Sequence, residues 1–390
     1  MKYKSIYKIK LTGYLLWLFV TVTSCATDVE DNVPTSGEIM RVYTSVAGRG
    51  EASALNGQGE ELYARLLFWE DEDYHDMLEN ETTAWETPFL NIVLDEEIDY
   101  YQVNNNIPFN TKHSYPSGQK QVHVMGYAPA ELTSDDNYKT LSIPENLQNG
   151  KIDFLSGDGN RYRVGSSAAP FEIANGEIGA ATLEQKQLEF CHLTSKILVL
   201  ATRHENMGGK IGVRKVSVTL HEQKVPTLLE WRTISSDGEA AESGGYFPTE
   251  PSDKKNILLT NTSTDPIVLG MEQRVDSCYV YPTEEDDTHY HKEVTTKTDE
   301  IISLTMDVKA ELMPFNTSTG NWEEDKAQER IWTNVQVGIK SVTEGKLKMG
   351  YMYKIIITFD IYDIHLQGVE MEWDWGGKHY IPITPTENKR

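Results

Sequence analysis

Four stretches carry side chains whose types could do chemistry, and each stops short of a site. "HEQKV" opens at His221 like a zinc-peptidase helix, where two histidines four residues apart hold the metal, but Val225 fills the second place. "EGKLKMG" offers Gly345 and Lys346 without the upstream glycine, or the Ser/Thr after the lysine, that a phosphate-cradling loop requires. "LSGDGNRYR" supplies one aspartate, Asp158, where a calcium loop needs several oxygen ligands at fixed spacing. "TEEDDTHYH" is the best ligand candidate, because His289 and His291 share a face of any extended strand and Glu284 to Asp287 lie beside them. An exposed acidic hairpin tip accounts for the same residues, so neither a metal nor a cofactor is expected. A nucleophile elbow is absent, and no two carboxylates can be paired across a cleft. The chain is read as a non-enzyme.

A different chemistry is written at Cys25. Lys2, Lys4, Lys8 and Lys10 precede an apolar run from Leu11 to Val22. The run falls well short of the roughly 20 residues that cross a bilayer. A basic stub, a short apolar run and small residues at its exit make a secretory signal over residues 1–24. The exit, Val22-Thr23-Ser24-Cys25, resembles the bacterial lipobox, which implies cleavage after Ser24 and acylation of the Cys25 thiol with palmitate-like chains. Each buried methylene contributes about 0.8 kcal/mol, so several chains hold a protein to a membrane durably. The acidic run that follows, with Asp28, Glu30 and Asp31, resembles the tag that sends lipoproteins of the Bacteroides group to the cell surface. A solvated tether would have the same composition. The expected location is the outer membrane, facing outward.

Composition narrows the partners. The 390 residues carry a formal net charge of −24, and losing the four lysines of the signal takes the mature chain to −28. Such a surface repels phosphate backbones, so nucleic acid is excluded as a partner. With 8 Trp, 20 Tyr and 10 Phe the chain can fill real cores, and its length fits two domains. After Cys25 only Cys191 and Cys278 remain. They read as two buried thiols on strands, with a disulfide as the alternative.

The elements that must position any site are strands. "EIISLTMDVKAEL" alternates Ile302, Leu304, Met306, Val308, Ala310 and Leu312 against polar neighbours. "YKIIITFDIYDI" does so with Tyr353, Ile355, Ile357, Phe359 and Ile361, and "GVEMEWDW" with Val369, Met371, Trp373 and Trp375. This period of two marks half-buried antiparallel strands. Further candidates are "ELYARLLFWE", "QKQVHVMGYAP", "SKILVLATR", "VRKVSVTL", "NILLT", "DPIVLG", "VDSCYVYP" and "TNVQVGIK". "LSGDGNR" and "NTSTGNW" read as turns, the acidic "EDEDYHDMLENETT" as a loop insertion, and "TSDDNYKTLSIPENLQNG" as room for one helical turn. The fold class is all-β: two antiparallel Greek-key β-sandwiches in tandem, of transthyretin or immunoglobulin type. The expected division is a leader over 25–49, an N-terminal sandwich over 50–190 and a C-terminal sandwich over 191–390.

Several of these stretches, in this order, resemble the fimbrillin family of the Bacteroides group. "LEFCHLTSKILVL", with Phe190, His192, Ser195 and Lys196, is similar to the motif that opens its central strand. "GYMYKIIITF", with Gly350 and Tyr353, resembles its late strand, and "VEMEWDWGG" its closing strand. "EIMRVYTSVAGRGEA" resembles its first strand, running into an arginine followed by small residues. The resemblance implies a structural subunit of fimbriae, anchored through Cys25, that supports adhesion. Its first strand is removed by an arginine-specific protease, and a strand of another subunit fills the opened groove. Here the removable strand would present Met40, Val42 and Val46. The cut would follow Arg49, with Arg41 the rival inside the apolar alternation. Val369, Met371, Trp373 and Trp375 would be the donor side, unless they pair within their own domain. Other fimbrial subunits, outer-membrane lipid, the protease and a host or bacterial surface ligand are the partners this implies. The short tail after "WGG" and the acidic insertions point to a tip or accessory subunit rather than a shaft repeat. A surface glycan-binding lipoprotein is the alternative, and exposed aromatics clustered at one loop end would mark it.

Overall fold

The structure is a computed structural model. It describes residues 39–42, 44–46, 64–79, 85–93, 109–117, 121–135, 137–157, 163–166, 169–170, 188–234, 243–283, 301–340, 345–361 and 363–372. In the first half the strands are β1 (Ile39–Val42), β2 (Thr44–Val46), β3 (Arg65–Glu70), β4 (Leu90–Val93), β5 (Phe109–Ser114) and β6 (Val122–Ala128). They continue with β7 (Thr133–Ser134), β8 (Thr140–Ser142), β9 (Leu155–Gly157), β10 (Arg163–Ser166), β11 (Ala169–Pro170) and β12 (Leu188–His192). The second half adds β13 (Ser195–Arg203), β14 (Ile211–Lys224), β15 (Leu228–Ile234), β16 (Ser243–Pro248), β17 (Lys254–Thr260) and β18 (Gln273–Val280). It ends with β19 (Ile301–Asn316), β20 (Asn321–Trp322), β21 (Gln328–Lys340), β22 (Tyr351–Phe359) and β23 (Ile364–Glu372). This is the all-β build that the alternation requires.

A central sheet organises the first half. Its order is β11-β10-β6-β9-β12-β2, with β3 also paired to β6 and β4 to β3. All seven residues of β6 are buried, because both faces of the sheet are covered. Leu66, Phe68, Val122, Val124 and Phe190 point to one face, where Met40, Val42 and Tyr115 meet them. Leu67, Trp69, Met125 and Tyr127 point to the other, against Leu229, Trp231 and Tyr246. Successive residues of β3 and β6 thus serve opposite cores, as a period of two dictates.

The second half is a sandwich. One sheet runs β18-β13-β22-β23 and the other β17-β14-β19-β20, with β21 on β19. Ile302, Leu304, Met306, Val308 and Ala310 of β19 and Tyr353, Ile355, Ile357 and Phe359 of β22 face inward into one core. Two neighbours are parallel, β13 with β22 and β12 with β2, so the sheets are not antiparallel throughout. Both pairs join strands far apart in the chain, where no tight turn imposes an antiparallel return.

Local expectations fail in three places. The acidic stretch is not a loop: Asp71–Glu79 forms the helix α1, with Tyr74, Met77 and Leu78 buried at helical spacing. "DPIVLG" is a turn rather than a strand, because Ile267 alone is buried there while Val268 and Leu269 face water and Gly270 has φ 74°. "LSGDGNR" begins as a strand, β9, pinned between β6 and β12. The single helical turn expected near residue 145 is present as Glu145–Leu147.

The chain passes from the first half to the second through Leu193 and Thr194, and this crossing is tightly bonded. The Asp153 carboxylate takes His192 Nδ1 at 2.5 Å on one oxygen and the Thr194 hydroxyl at 2.8 Å on the other. The Ser195 hydroxyl donates to the Lys348 carbonyl at 2.7 Å, and Gly350 N–H to the Thr194 carbonyl at 3.0 Å. Lys151 reaches Asp276 across the joint at 2.6 Å, and Tyr279 N–H donates to the Gly150 carbonyl at 2.8 Å. Lys196 lies buried 5.6 Å from the Tyr279 ring centre, and burial pushes its ammonium down to about 8.

Two outcomes follow. Asp153→Ala leaves the buried His192 and Thr194 without their shared acceptor and should cost about 2–3 kcal/mol, read as a lower urea midpoint. An unchanged midpoint would show that the carboxylate ties nothing. Lys196 binds its proton less readily folded than unfolded, so its penalty is full below about pH 8 and fades as pH rises toward the ordinary lysine value. Lys196→Met should therefore gain stability at pH 7 relative to wild type, with the gain shrinking as the pH is raised above 8. Parallel pH profiles of the two proteins would contradict this.

Candidate functional site: the first strand and its slot

The segment from Ile39 to Val46 contributes to two layers. β1 pairs antiparallel with β5, placing Arg41 opposite Asn110 and Val42 opposite Phe109. β2 then lies parallel along β12, with Thr44 opposite Leu188 and Val46 opposite Phe190, and forms the edge of the central sheet. Between the two ladders, Met40 and Val42 are wholly buried in the core formed with Leu66, Phe68, Val124 and Phe190. The buried Thr111 hydroxyl donates to the Met40 carbonyl at 2.9 Å, which fixes the height of β1 over the sheet.

The floor of the slot is tight. Phe190 lies directly on Gly126 of β6, where an added Cβ would come within 2.6 Å of the Phe190 ring and 3.0 Å of Leu66. A glycine at this point lets the aromatic ring sink into the sheet, within the core that Met40 shares. Such a site performs no bond chemistry. It can hold one extended strand, by main-chain hydrogen bonds along β5 and β12 and by side chains at alternate positions in an apolar trough.

The other residues singled out from the sequence are dispersed. Val369 and Met371 sit on β23 at the edge of the second-half sheet, opposite Lys354 and Met352 of β22. They pair within their own sheet, the alternative left open for them. Cys25, Arg49, Trp373, Trp375, His289 and His291 lie outside the described residues, as does the side chain of Val46. His221 is on a strand, β14, with Nε2 3.1 Å from an Asp307 oxygen. Among the described residues, no group of three or more His, Cys, Asp or Glu could hold a metal ion. Cys191 and Cys278 are buried and not joined in a disulfide, and burial pushes the Cys278 thiol up to about 12. Thr111 was not legible in advance, because a hydroxyl in "FNTKHS" carries no signal of what it will meet.

Among the described residues, the tryptophans are packed. Trp69 and Trp231 are buried, and Trp85 stands edge-on to both. Trp322 lies 5.5 Å from the Arg203 guanidinium and Trp332 5.6 Å from the Phe359 ring. A shallow polar cleft of about 500 Å³ is lined by Glu145, Gln148, Val225, Thr227, Asp253 and Lys255. Lys255 Nζ bridges it to the Gln148 carbonyl at 3.2 Å, and no aromatic wall faces it.

No family model matches the chain, and no curated protein matches it. Among solved structures, it is similar to a fimbrial protein from Bacteroides vulgatus, with 11% identity over 86% of this chain and 99% of that one, at a TM-score of 0.41. It is similar to a candidate cell adhesion protein from Bacteroides ovatus, with 12% identity, 87% and 98% coverage and a TM-score of 0.41. It is also similar to the C-terminally truncated tip fimbrial protein of Porphyromonas gingivalis, with 9% identity, 85% and 100% coverage and a TM-score of 0.35.

Proposed function

We propose that this chain is a non-enzymatic structural subunit of fimbriae, held on the outer membrane through acylated Cys25 and supporting adhesion. It joins the fibre when an arginine-specific protease cuts after Arg49 and a strand of another subunit replaces Ile39–Val46. The observation that carries this reading is the seating of Met40 and Val42. Both are fully buried, yet they belong to a segment that meets its sheet only at an edge and that lies just before Arg49. A strand in that position can leave without being threaded out of the fold.

Its departure would uncover unpaired ladder groups on β5 and β12 and an apolar trough between them. Burying a Val or Met side chain contributes about 1.5–3 kcal/mol, so the slot offers an incoming strand roughly 3–6 kcal/mol from these two positions before any main-chain bonds. Arg41 is the poorer substrate, because it lies in the β1 ladder opposite Asn110, and a protease needs an extended, unpaired backbone. One of the two acidic insertions is part of the subunit body, since α1 packs Tyr74 and Met77 into the core beneath the sheet. The expectation of a tip or accessory role therefore rests, of the two insertions, on the stretch around His289.

The test is the N-terminal residue and intact mass of the protein recovered from the cell surface, with and without the protease. A chain beginning at Gly50, together with higher oligomers, is the expected result. Arg49→Lys should abolish both, whereas Arg41→Lys should leave them unchanged. A chain that stays at acylated Cys25 and monomeric after protease would refute the assembly reading.

A further inference from the structure

The hairpin β15–β16 belongs to the second half by sequence and to the first half by packing. It leaves the second-half sandwich after Lys224 of β14 and returns to it at Lys254 of β17, residues that face each other in that sheet. In between it adds to β8, with Leu228 opposite Ser142, Leu229 opposite Leu141 and Glu230 opposite Thr140. Trp231 N–H donates to the Lys139 carbonyl at 3.0 Å, and its indole N–H to the Met125 sulfur of β6 at 3.1 Å. Tyr246 N–H donates to the Ser156 hydroxyl of β9 at 3.0 Å, and its own hydroxyl to the Tyr138 carbonyl at 2.6 Å. The Trp231 ring lies over Gly244, where a Cβ would come within 2.0 Å of it, so the hairpin is shaped around this one side chain.

We infer that this hairpin is the retaining layer of the central sheet, the element that keeps β6 and β9 folded while the opposite face stands open. The inference rests on the opening described under the proposed function. The first segment takes hold on β5 and β12, whereas the hairpin takes hold on β8, β6 and β9. The two attachments share no ladder, so undoing one leaves the other intact. An antiparallel sheet tolerates water on one face provided the other is covered, and it does not persist with both bare. The alternation along β3 and β6 fits this division. Leu66, Phe68, Val122 and Val124 lose Met40 and Val42 when the first strand leaves, while Leu67, Trp69, Met125 and Tyr127 keep Leu229, Trp231 and Tyr246.

Hydrogen exchange on four full-length proteins tests this: wild type, Met40→Asp with Val42→Asp, Trp231→Ala, and the combination. Two charges in the slot bar the first strand from its seat without shortening the chain. Peptides from β6 and β9 should stay protected in wild type and in each single set, and lose protection in the combination. Peptides from β13 and β22 should stay protected in all four. Loss of β6 protection with the slot charges alone would overturn the inference, because the hairpin would not suffice. So would retained protection in the combination, because the hairpin would not be needed. If Trp231→Ala alone unfolds the first half, Tyr246→Phe, which removes one hydrogen bond and keeps the ring, takes its place under the same two readings. None of these outcomes depends on whether Arg49 is cut on cells, so the two proposals fail separately.

Discussion

A strand with every residue out of water must have both faces and both edges supplied by other elements, and β6 is such a strand. Its edges go to β3 on one side and to β9 and β10 on the other. Parts remote in sequence help to cover its faces, the first strand beside Tyr115 on one, and on the other a hairpin more than a hundred residues later, together with α1. Gly126 in its middle admits Phe190, and Met125 beside it receives the Trp231 indole. The first segment and the hairpin thus both answer one requirement. Under the assembly reading they differ in consequence: a segment cut after Arg49 would depart, whereas a hairpin tied at both ends into the second sandwich would stay.

That difference gives the joint between the halves its importance. The hairpin retains the central sheet only if the second half stays fixed relative to the first. Asp153 holds the crossing chain on either side of Leu193, and Lys151, Gly150 and Gly350 add bonds between the halves. The crossing coincides with the motif around His192, Ser195 and Lys196, and the late-strand motif around Gly350 and Tyr353 meets it in space. Tyr353 Oη accepts from Lys348 N–H at 2.7 Å, the residue whose carbonyl receives the Ser195 hydroxyl. Gly350 has φ 72°, a conformation that glycine adopts without strain and that turns the chain toward Thr194. These motif residues form a structural weld, with His192 a buried hydrogen-bonding partner of a carboxylate.

The second sandwich was largely legible in the sequence, because long strands with one wet face write their alternation openly, as β19 and β22 do. The first half was less legible for a reason its structure supplies. A sheet covered on both faces has no polar face, so "VHVMGYA" marks a strand without telling which residues meet which core. Nothing in "LLEWRTI" says that Trp231 serves the other half. The helix α1 was missed because its charges drew attention away from Tyr74, Met77 and Leu78, whose spacing was there to be read. Of the slot, Met40 and Val42 could be named from alternation alone. Thr111, which bonds to the Met40 carbonyl, required the register.

Under the assembly reading, a subunit that adds strands at one slot must refuse them elsewhere, and β21 bears on how. Among the described residues its ladder partner is β19, its Gly338–Ile339 end lies against Gly368 of β23, and Ile331 faces water, which would make the part around Ile331 a template for another chain. Midway along it the register slips between Met306 and Val308, where Asn334 has φ 53° and its N–H donates to the Asp307 carboxylate at 2.8 Å. Glu329, held by Lys309 at 2.6 Å, and Lys340 place charge at either end. A bulge and flanking charges disfavour regular pairing along this edge. The slot against Phe190 has an irregularity too, with Lys112 of β5 at φ 59° and a register slip between Ile39 and Arg41. It is closed by its own strand, so its readiness to accept another is set by whether that strand is present. Under the assembly reading, removing that strand decides when a subunit polymerises and also which of its edges is available.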